Sequence, residues 1–375
     1  MSSNVKRFLG HIGVTLLSFG IVGIYALLAL NLKVFSPIAK AIDDYSFEDF
    51  YYHILNATED QDTSNVVTIV DMTELISRRD LANLMTEVAA MNPKVMGVDI
   101  VFEGLKEDTL GDQMLLDAVR DCPSAVYAYK LIDRTDEDVH SFFMPTDTLK
   151  EGFVNMPRNL YGGLKRSVSI GRMHQKKLYP SFMKQVADLY AGEEVVELAD
   201  KDLRINFSPI KFHVIPFNAV NENPSLIEDR IVLLGAMKEE TDMHYTPLGK
   251  MAGTELLAYA TETLLKQNKV IIPPFWITCL VTFVITLLTV IIRASYIDFA
   301  KRRHPLLRAV MLTELAIGLL VFLIVAVTVW IAFILFCKYN ISINLGYAIA
   351  AMAFLFTATN LYETIVEQFT KKKKS

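Results

Sequence analysis

Residues 66–71 read VVTIVD, a short run of β-branched apolar residues that ends in an aspartate. Residues 95–102, VMGVDIVF, and residues 231–235, IVLLG, are runs of the same kind. Near-continuous apolar runs are typical of strands buried on both faces of a parallel sheet. Between the first two, apolar residues recur at helical spacing over 79–91. This strand–helix–strand rhythm predicts an α/β domain with a mixed, mostly parallel sheet and helices on both faces.

Further elements follow along the domain. We predict a third strand at 125–131 and a short strand at 203–207. Helices are predicted at 112–122, at 179–190 with Pro180 in the first turn, and at 253–267. The interval 152–173 is expected to form short strands and turns around Tyr161-Gly162-Gly163, and residues 236–249 a long polar loop.

Four apolar runs outside this domain are long enough to cross the hydrocarbon core of a membrane. The predicted organisation is a tail and first transmembrane helix at 1–32, the α/β domain at 33–270, and transmembrane helices at 271–292, 310–337 and 343–366. A basic loop is predicted at 293–309, and a Lys-rich tail at 367–375. The first apolar run exceeds the length of a signal-peptide core, so we expect an uncleaved anchor.

The charge distribution orients these spans. Residues 33–270 hold 25 basic and 38 acidic side chains, whereas the rest of the chain holds 12 basic and 4 acidic. Basic residues gather before the first span, in the interval 293–309 and after the fourth span. The positive-inside rule therefore predicts cytoplasmic N- and C-termini and an extracytoplasmic acidic domain in a bacterial inner membrane.

Several classes of function are disfavoured. Three cysteines do not make a disulfide or Cys-rich metal scaffold. The chain has no phosphate-binding loop, nucleophile elbow, zinc-protease helix or dinucleotide fingerprint. An acidic domain repels nucleic acid. We therefore predict no enzyme, no catalytic residues, no metal ligands and no cofactor.

A ligand site is expected where the loops at the carboxyl ends of the strands converge. That rule selects Asp71 after the first strand, Asp99 late in the second, and Asp242 and His244 in the loop after the third apolar run. Arg79, at the start of the first helix, is a fifth candidate for ligand binding. The alternative is structural, because aspartates at strand ends also cap helices or pair with neighbouring arginines.

The order of these features resembles the second type of cyclase/histidine-kinase-associated sensory extracellular (CHASE) domain. The resemblance rests on GVDIVF at 97–102, IVLLG at 231–235, DMHYTPLG at 242–249 and GTELLA at 253–258, and it extends over about residues 40–370. It implies an extracytoplasmic sensor joined to membrane helices. In the family such a domain usually drives a cytoplasmic enzyme.

Two departures from the family pattern affect the expected function. The sequence continues for only nine residues after Val366, so we expect no output domain and a separate partner that reads the signal. An aromatic element usual after the first strand is reduced to Ile76-Ser77-Arg78-Arg79, which puts the family's pocket in doubt.

Three functions follow as competing hypotheses. The first is a signal-input subunit, and the second is a structural or assembly protein that keeps the fold without sensing. The third, an enzyme or transporter, would use Glu314, Asn344 and Glu363 near the spans, although span ends accommodate such residues readily. The expected partners are the lipid bilayer, a membrane or cytoplasmic protein, an unidentified extracytoplasmic small ligand and, as an open alternative, further copies of the chain.

Overall fold

A computed structural model describes residues 3–31, 46–58, 60–75, 77–132, 138–144, 148–157 and 163–372. The chain divides into two compact units. One is Asp49–Val270, here called the sheet unit, and the other combines Met1–Glu48 with Ile271–Ser375, here called the helical unit. The predicted domain boundary at residue 33, and the turn residues Tyr161 and Gly162, lie outside the described residues.

Eleven strands are described along the sheet unit. They are β1 (Asp62–Asp71), β2 (Val95–Val98), β3 (Ala125–Tyr129), β4 (Lys150–Phe153), β5 (Ser167–His174), β6 (Lys177–Pro180), β7 (Lys201–Arg204), β8 (Ile210–Pro216), β9 (Ile231–Gly235), β10 (Met243–Thr246) and β11 (Gly249–Ala252). The α-helices among the described residues are α1 (Ser3–Asn31), α2 (Phe47–Thr58), α3 (Arg78–Ala90), α4 (Thr109–Asp121), α5 (Phe182–Ala191), α6 (Gly253–Leu265), α7 (Phe275–Lys301), α8 (Pro305–Met311), α9 (Glu314–Tyr339), α10 (Gly346–Ala353) and α11 (Leu355–Lys372).

The main sheet has six strands in the order β4-β3-β2-β9-β1-β8. Every neighbouring pair in it is parallel. Antiparallel pairing occurs in a separate three-stranded sheet, β6-β5-β7, and in the hairpin β10-β11. The predicted α/β class with a mostly parallel sheet is therefore confirmed, with the antiparallel strands outside the main sheet.

Helices cover both faces of the main sheet, as the alternating side chains of its strands show. Val70, Val98 and Leu234 belong to a buried cluster with residues of α3 and α4. Gly97 points to the opposite face, because a Cβ atom there would lie 3.0 Å from the Phe182 ring of α5. Each fully buried aliphatic side chain in such a core contributes about 1.5–3 kcal/mol relative to an exposed one.

Several predicted elements differ from the observed ones in extent, among them the short strand predicted at 203–207, which lies at Lys201–Arg204. The strand at 95–102 ends at Val98, and Phe102 instead covers the core from a loop, where its N–H donates to Ser141 Oγ at 3.1 Å. Apolarity in that run therefore reflects burial and not strand pairing. The helix at 179–190 begins only at Phe182, because Pro180 ends strand β6.

Other elements were missed. The predicted loop at 236–249 contains a short 3-10 helix at Glu240–Asp242 and most of the β10-β11 hairpin. Helix α2 and strand β8 were not predicted, and β8 has a mixed burial pattern because it lies at the sheet edge. Helix α3 begins where Ser77 Oγ accepts the N–H of Asp80 at 3.2 Å. Ser77 Oγ also donates to Asp80 Oδ2 at 2.6 Å, so two hydrogen bonds between these residues fix the first turn.

Within the described part of the helical unit, three helices are long and apolar enough to cross a membrane: α1, α7 and α9. Helices α10 and α11 together pass the same test, but they are bent by 56° at Phe354, which makes them a broken span or a re-entrant segment. The transmembrane helix predicted at 343–366 therefore corresponds to two helices joined at a bend, and that they form a fourth span stays a prediction. The predicted basic loop at 293–309 is also largely helical, since α7 continues to Lys301 and α8 begins at Pro305.

Close contacts inside the helical unit involve small and polar residues. A Cβ atom at Gly13 of α1 would lie 2.4 Å from the Tyr362 ring, so glycine lets α11 pack tightly there. Arg293 donates to Thr359 Oγ1 at 2.8 Å. The buried hydroxyls of Thr282 and Thr286 donate to carbonyls of their own helix, which satisfies them within an apolar environment.

Candidate functional site

A cavity of about 750 Å³ opens at the carboxyl ends of the parallel strands in the sheet unit. Its lining comes from the residues that follow β1, β2, β3, β4 and β9, together with the first turn and a half of α6. The volume lies within the range of small-molecule sites in proteins. This is the edge of an open α/β sheet at which ligands bind.

Asp99 lies at the centre of this edge, one residue beyond β2. Its N–H donates to the carbonyl of Leu234 in β9 at 2.9 Å, and its Oδ2 accepts a hydrogen bond from Thr254 Oγ1 at 2.8 Å. The residue keeps part of its surface exposed, and it lines the cavity. The backbone bond to the neighbouring strand therefore fixes a carboxyl group in the cavity wall.

The pKa of Asp99 is raised to about 7. Burial of the carboxyl group is the main cause, and the nearby charge of Asp242 acts in the same direction. The hydrogen bond from Thr254 and the charges of Lys130 and His244 oppose the rise without cancelling it. Asp99 therefore changes its protonation state near neutral pH, which few surface aspartates do.

Asp242 and His244 enter the cavity from the loop after β9. His244 Nε2 lies 3.5 Å from Asp242 Oδ1, and the short 3-10 helix directs Asp242 towards the start of α6. A Cβ atom on Gly253 would lie 2.3 Å from Asp242 Oδ2. Glycine at the first position of α6 therefore lets the carboxylate approach the helix N-terminus, where negative charge is favoured.

A second glycine brings α6 against the sheet. A Cβ atom on Gly235, the last residue of β9, would lie 2.0 Å from Thr254 Oγ1. The absence of a side chain at Gly235 thus makes room for the hydroxyl that donates to Asp99. Gly235 ends the IVLLG motif at 231–235, and Gly253 begins the GTELLA motif at 253–258.

Asp71 has a different position from the one expected of a ligand-binding residue. It does not line the cavity, and its Oδ1 accepts the N–H of Thr73 at 2.9 Å and the N–H of Met237 at 3.2 Å. Burial alone would raise the pKa of Asp71, but these hydrogen bonds and that of the Thr73 hydroxyl outweigh it and lower the pKa. Asp71 therefore joins the turns after β1 and β9 at the cavity rim.

Arg79 is not at the cavity. It lies in the first turn of α3 with its side chain 49% exposed, where it holds Asp108 through Nε at 2.7 Å and through a second nitrogen. Arg78 pairs with the buried Asp112 and donates to the carbonyl of Gly104 at 2.8 Å. Arg78 and Arg79 thus both bind the start of α4 and the loop before it.

The structure therefore brings together three of the five candidates, Asp99, Asp242 and His244. Sequence reasoning missed Lys130, Thr254 and Glu239, which line or border the same cavity. Lys130 directly follows β3, so the strand-end rule that selected Asp99 would also have found it. Thr254 carried no such signal, since its role depends on how α6 meets β9.

Metal binding is not indicated by this geometry. Among the described residues, no group of three or more His, Cys, Asp or Glu side chains is arranged to hold a metal ion. Asp242 and His244 are a single carboxylate–imidazole pair, and Asp99 bonds to a threonine. The arrangement offers charged and hydrogen-bonding groups around a space much larger than an ion.

A comparison with protein families identifies one match. The model of the CHASE2 domain matches residues 15–292, from α1 through the sheet unit and most of α7. The predicted resemblance is thus confirmed, although helices α8 to α11 lie beyond the matched residues. No curated protein and no solved structure matches the chain. The match covers well over half of the sequence, and the chain therefore belongs to the CHASE2 domain family.

Proposed function

We propose that this protein is an integral membrane sensor with an extracytoplasmic sheet unit. A small extracytoplasmic ligand enters the cavity, the position of α6 responds, and the change passes along the chain into α7. A separate membrane or cytoplasmic protein then reads it. The proposal assigns the protein no catalytic activity.

The main support for this proposal is that α6 both lines the cavity and leads along the chain to α7. Gly253 and Leu257 line the cavity, and the same helix packs on β1 and β9 before the chain continues to α7. Only residues 266–274 separate the end of α6 from the start of α7. A ligand that prefers one position of α6 would therefore bias the segment that enters α7. Membership of a sensory domain family supports the same role.

The proposed location is a bacterial inner membrane with four spans, counting α10 and α11 as one broken span. The N- and C-termini are cytoplasmic, and the sheet unit is periplasmic or otherwise extracytoplasmic. The basic residues on either side of α8 support this orientation through the positive-inside rule.

Cysteine labelling tests the orientation. Leu105 of the sheet unit and Leu306 of α8 are 73% and 74% exposed, so each is suited to replacement by cysteine after removal of Cys122, Cys279 and Cys337. In spheroplasts, a membrane-impermeant maleimide is expected to label Leu105→Cys at once and Leu306→Cys only after permeabilisation. Equal labelling of both variants in intact spheroplasts would exclude the proposed topology.

A pocket-filling variant tests the relay. Ala236 lines the cavity, and Ala236→Trp places a large side chain in it, whereas Ala191→Trp makes the same change at an exposed position at the end of α5. In native membranes, cross-linking mass spectrometry should recover a partner at residues 293–308. The cross-link yield should change in Ala236→Trp and stay as in the parent protein in Ala191→Trp. The relay is wrong if no partner is recovered or if both variants behave alike.

The alternative is a structural or assembly subunit that retains the fold without sensing. Its support is the use of Arg78 and Arg79, which are both engaged in ion pairs with α4 and the loop before it. In that case Ala236→Trp would leave every partner contact unchanged while the complex still assembles. The cross-linking experiment therefore separates the two functions.

A further inference from the structure

The cavity of the sheet unit is lined by more acidic than basic side chains. Four carboxylate side chains line it, and one lysine opposes them together with His244, which is close to Asp242. The carboxylates are Asp99, Glu103, Glu239 and Asp242. They come from the segments after β2 and after β9, so the excess belongs to the cavity as a whole and not to one loop.

The remaining lining is largely apolar. Met72 and Val101 contribute hydrocarbon surface from the segments after β1 and β2, and Leu257 contributes it from α6. Ala128 and Val154 extend this surface towards β3 and β4. A site of this type favours a ligand with a hydrocarbon body and a small number of polar ends. Its volume of about 750 Å³ is far greater than a bare ion requires.

We propose that the cavity binds an organic cation, a primary aliphatic amine or diamine with a short hydrocarbon body. This inference rests on the proposed function, since it names the class of ligand for the same site. The ammonium group lies against Asp99 and Asp242, and the hydrocarbon body contacts the apolar wall around Leu257. An inorganic cation is disfavoured, because no metal-binding cluster occurs among the described residues.

The environment of Asp99 also predicts that the affinity of the cavity for an amine depends on pH. Asp242, Lys130, His244 and Thr254 are the groups that act on its charge, and burial raises its pKa to about 7. An ammonium group beside Asp99 favours the ionised carboxylate, so binding at lower pH must release a proton. Affinity for the amine is therefore expected to be about tenfold weaker at pH 6 than at pH 8.

The test uses the full chain in nanodiscs of zwitterionic lipid, which removes amine binding to anionic headgroups. Three probes of matched length are compared by isothermal titration and thermal unfolding at pH 8: 1,5-diaminopentane, 1,5-pentanediol and glutarate. The diamine is expected to bind and raise the unfolding temperature, whereas the diol and the dianion are not. Asp99→Asn should weaken diamine binding at least tenfold and abolish its pH dependence.

Asp121→Asn is the matched control, because it makes the same change at an exposed aspartate at the end of α4. It should bind the diamine as the parent protein does. The inference is overturned if the diamine does not bind, if the diol or glutarate binds equally well, or if Asp99→Asn and Asp121→Asn behave alike. Asp99→Asn must still unfold in a cooperative transition at a temperature no lower than that of the parent protein, which shows that a loss of binding is not a loss of folding.

The two sets of experiments distinguish a wrong ligand class from a wrong sensor proposal. If Ala236→Trp alters the partner cross-links while the diamine fails to bind, sensing stands and the cationic class is wrong. If the diamine binds through Asp99 while the cross-links stay unchanged, the ligand class stands and the relay is wrong.

Discussion

Replacing Gly152 with alanine is expected to destabilise the sheet unit by about 3 kcal/mol, at the upper end of the cost of overpacking. Gly152 lies in β4, and a Cβ atom there would lie 2.4 Å from Cα and 2.5 Å from N of Phe182. Backbone atoms at the start of α5 cannot rotate away as a side chain can. Strand β4 or α5 must therefore shift, and denaturant unfolding of the full chain in nanodiscs would measure the loss.

Gly318→Ala is the matched control for this effect. Gly318 is in α9, and a Cβ atom there would meet nothing within 4 Å. Because alanine is the better helix former, stability should stay the same or rise slightly. Similar unfolding midpoints for Gly152→Ala and the parent protein would show that the close approach of β4 and α5 is not as described.

Asp99→Asn is expected to stabilise the ligand-free protein by about 4 kcal/mol at pH 8, because it removes a charge that burial makes costly and each unit of pKa shift corresponds to about 1.4 kcal/mol. The pKa of Asp99 is near 7 in the folded protein and near 3.8 when unfolded. Between these values the folded state binds more protons, so the stability of the parent protein falls as pH rises. The advantage of the variant should be absent near pH 4, grow towards pH 7 and remain constant above it.

Thermal unfolding from pH 4 to pH 8 measures this difference, with Asp121→Asn again as the control. The control should follow the parent curve throughout, because its side chain is exposed. An Asp99→Asn curve parallel to the parent curve at all pH values would mean that Asp99 is not held in an unfavourable environment. The pH dependence expected for amine binding at Asp99 would then have no electrostatic basis.

The main sheet was predictable where burial is complete. Strand β9 and the second half of β1, from Val66 to Val70, appear in the sequence as apolar runs, because helices cover both faces of the sheet there. Strand β8 escaped prediction because it forms the sheet edge and exposes part of its surface, which removes the apolar signal. The bend at Phe354 escaped for another reason, since no proline or glycine marks it in an apolar run.

The candidate site was predictable in part. The rule that ligands bind at the carboxyl ends of parallel strands placed Asp99, Asp242 and His244 together, and that they bind a ligand stays a prediction. The sequence cannot show that Asp71 turns inwards to hold Met237, because that contact depends on the turn geometry after β9. Nor can it show that Arg79 has a partner at Asp108, in a helix start brought near only by folding.

The order of strands in the main sheet also governs how the protein can be made. Strand β9 lies between β1 and β2, although it is synthesised long after both of them. Until residue 235 has been synthesised, β1 and β2 have no strand between them, and the backbone N–H and C=O groups on their facing edges stay unpaired. Sheets closed by such distant segments fold slowly and are prone to aggregate meanwhile. We therefore expect this domain to need protection from aggregation until β9 has been synthesised and has paired with β1 and β2. Variants in which β9 joins the sheet more slowly should first be recognised by a low yield of folded protein.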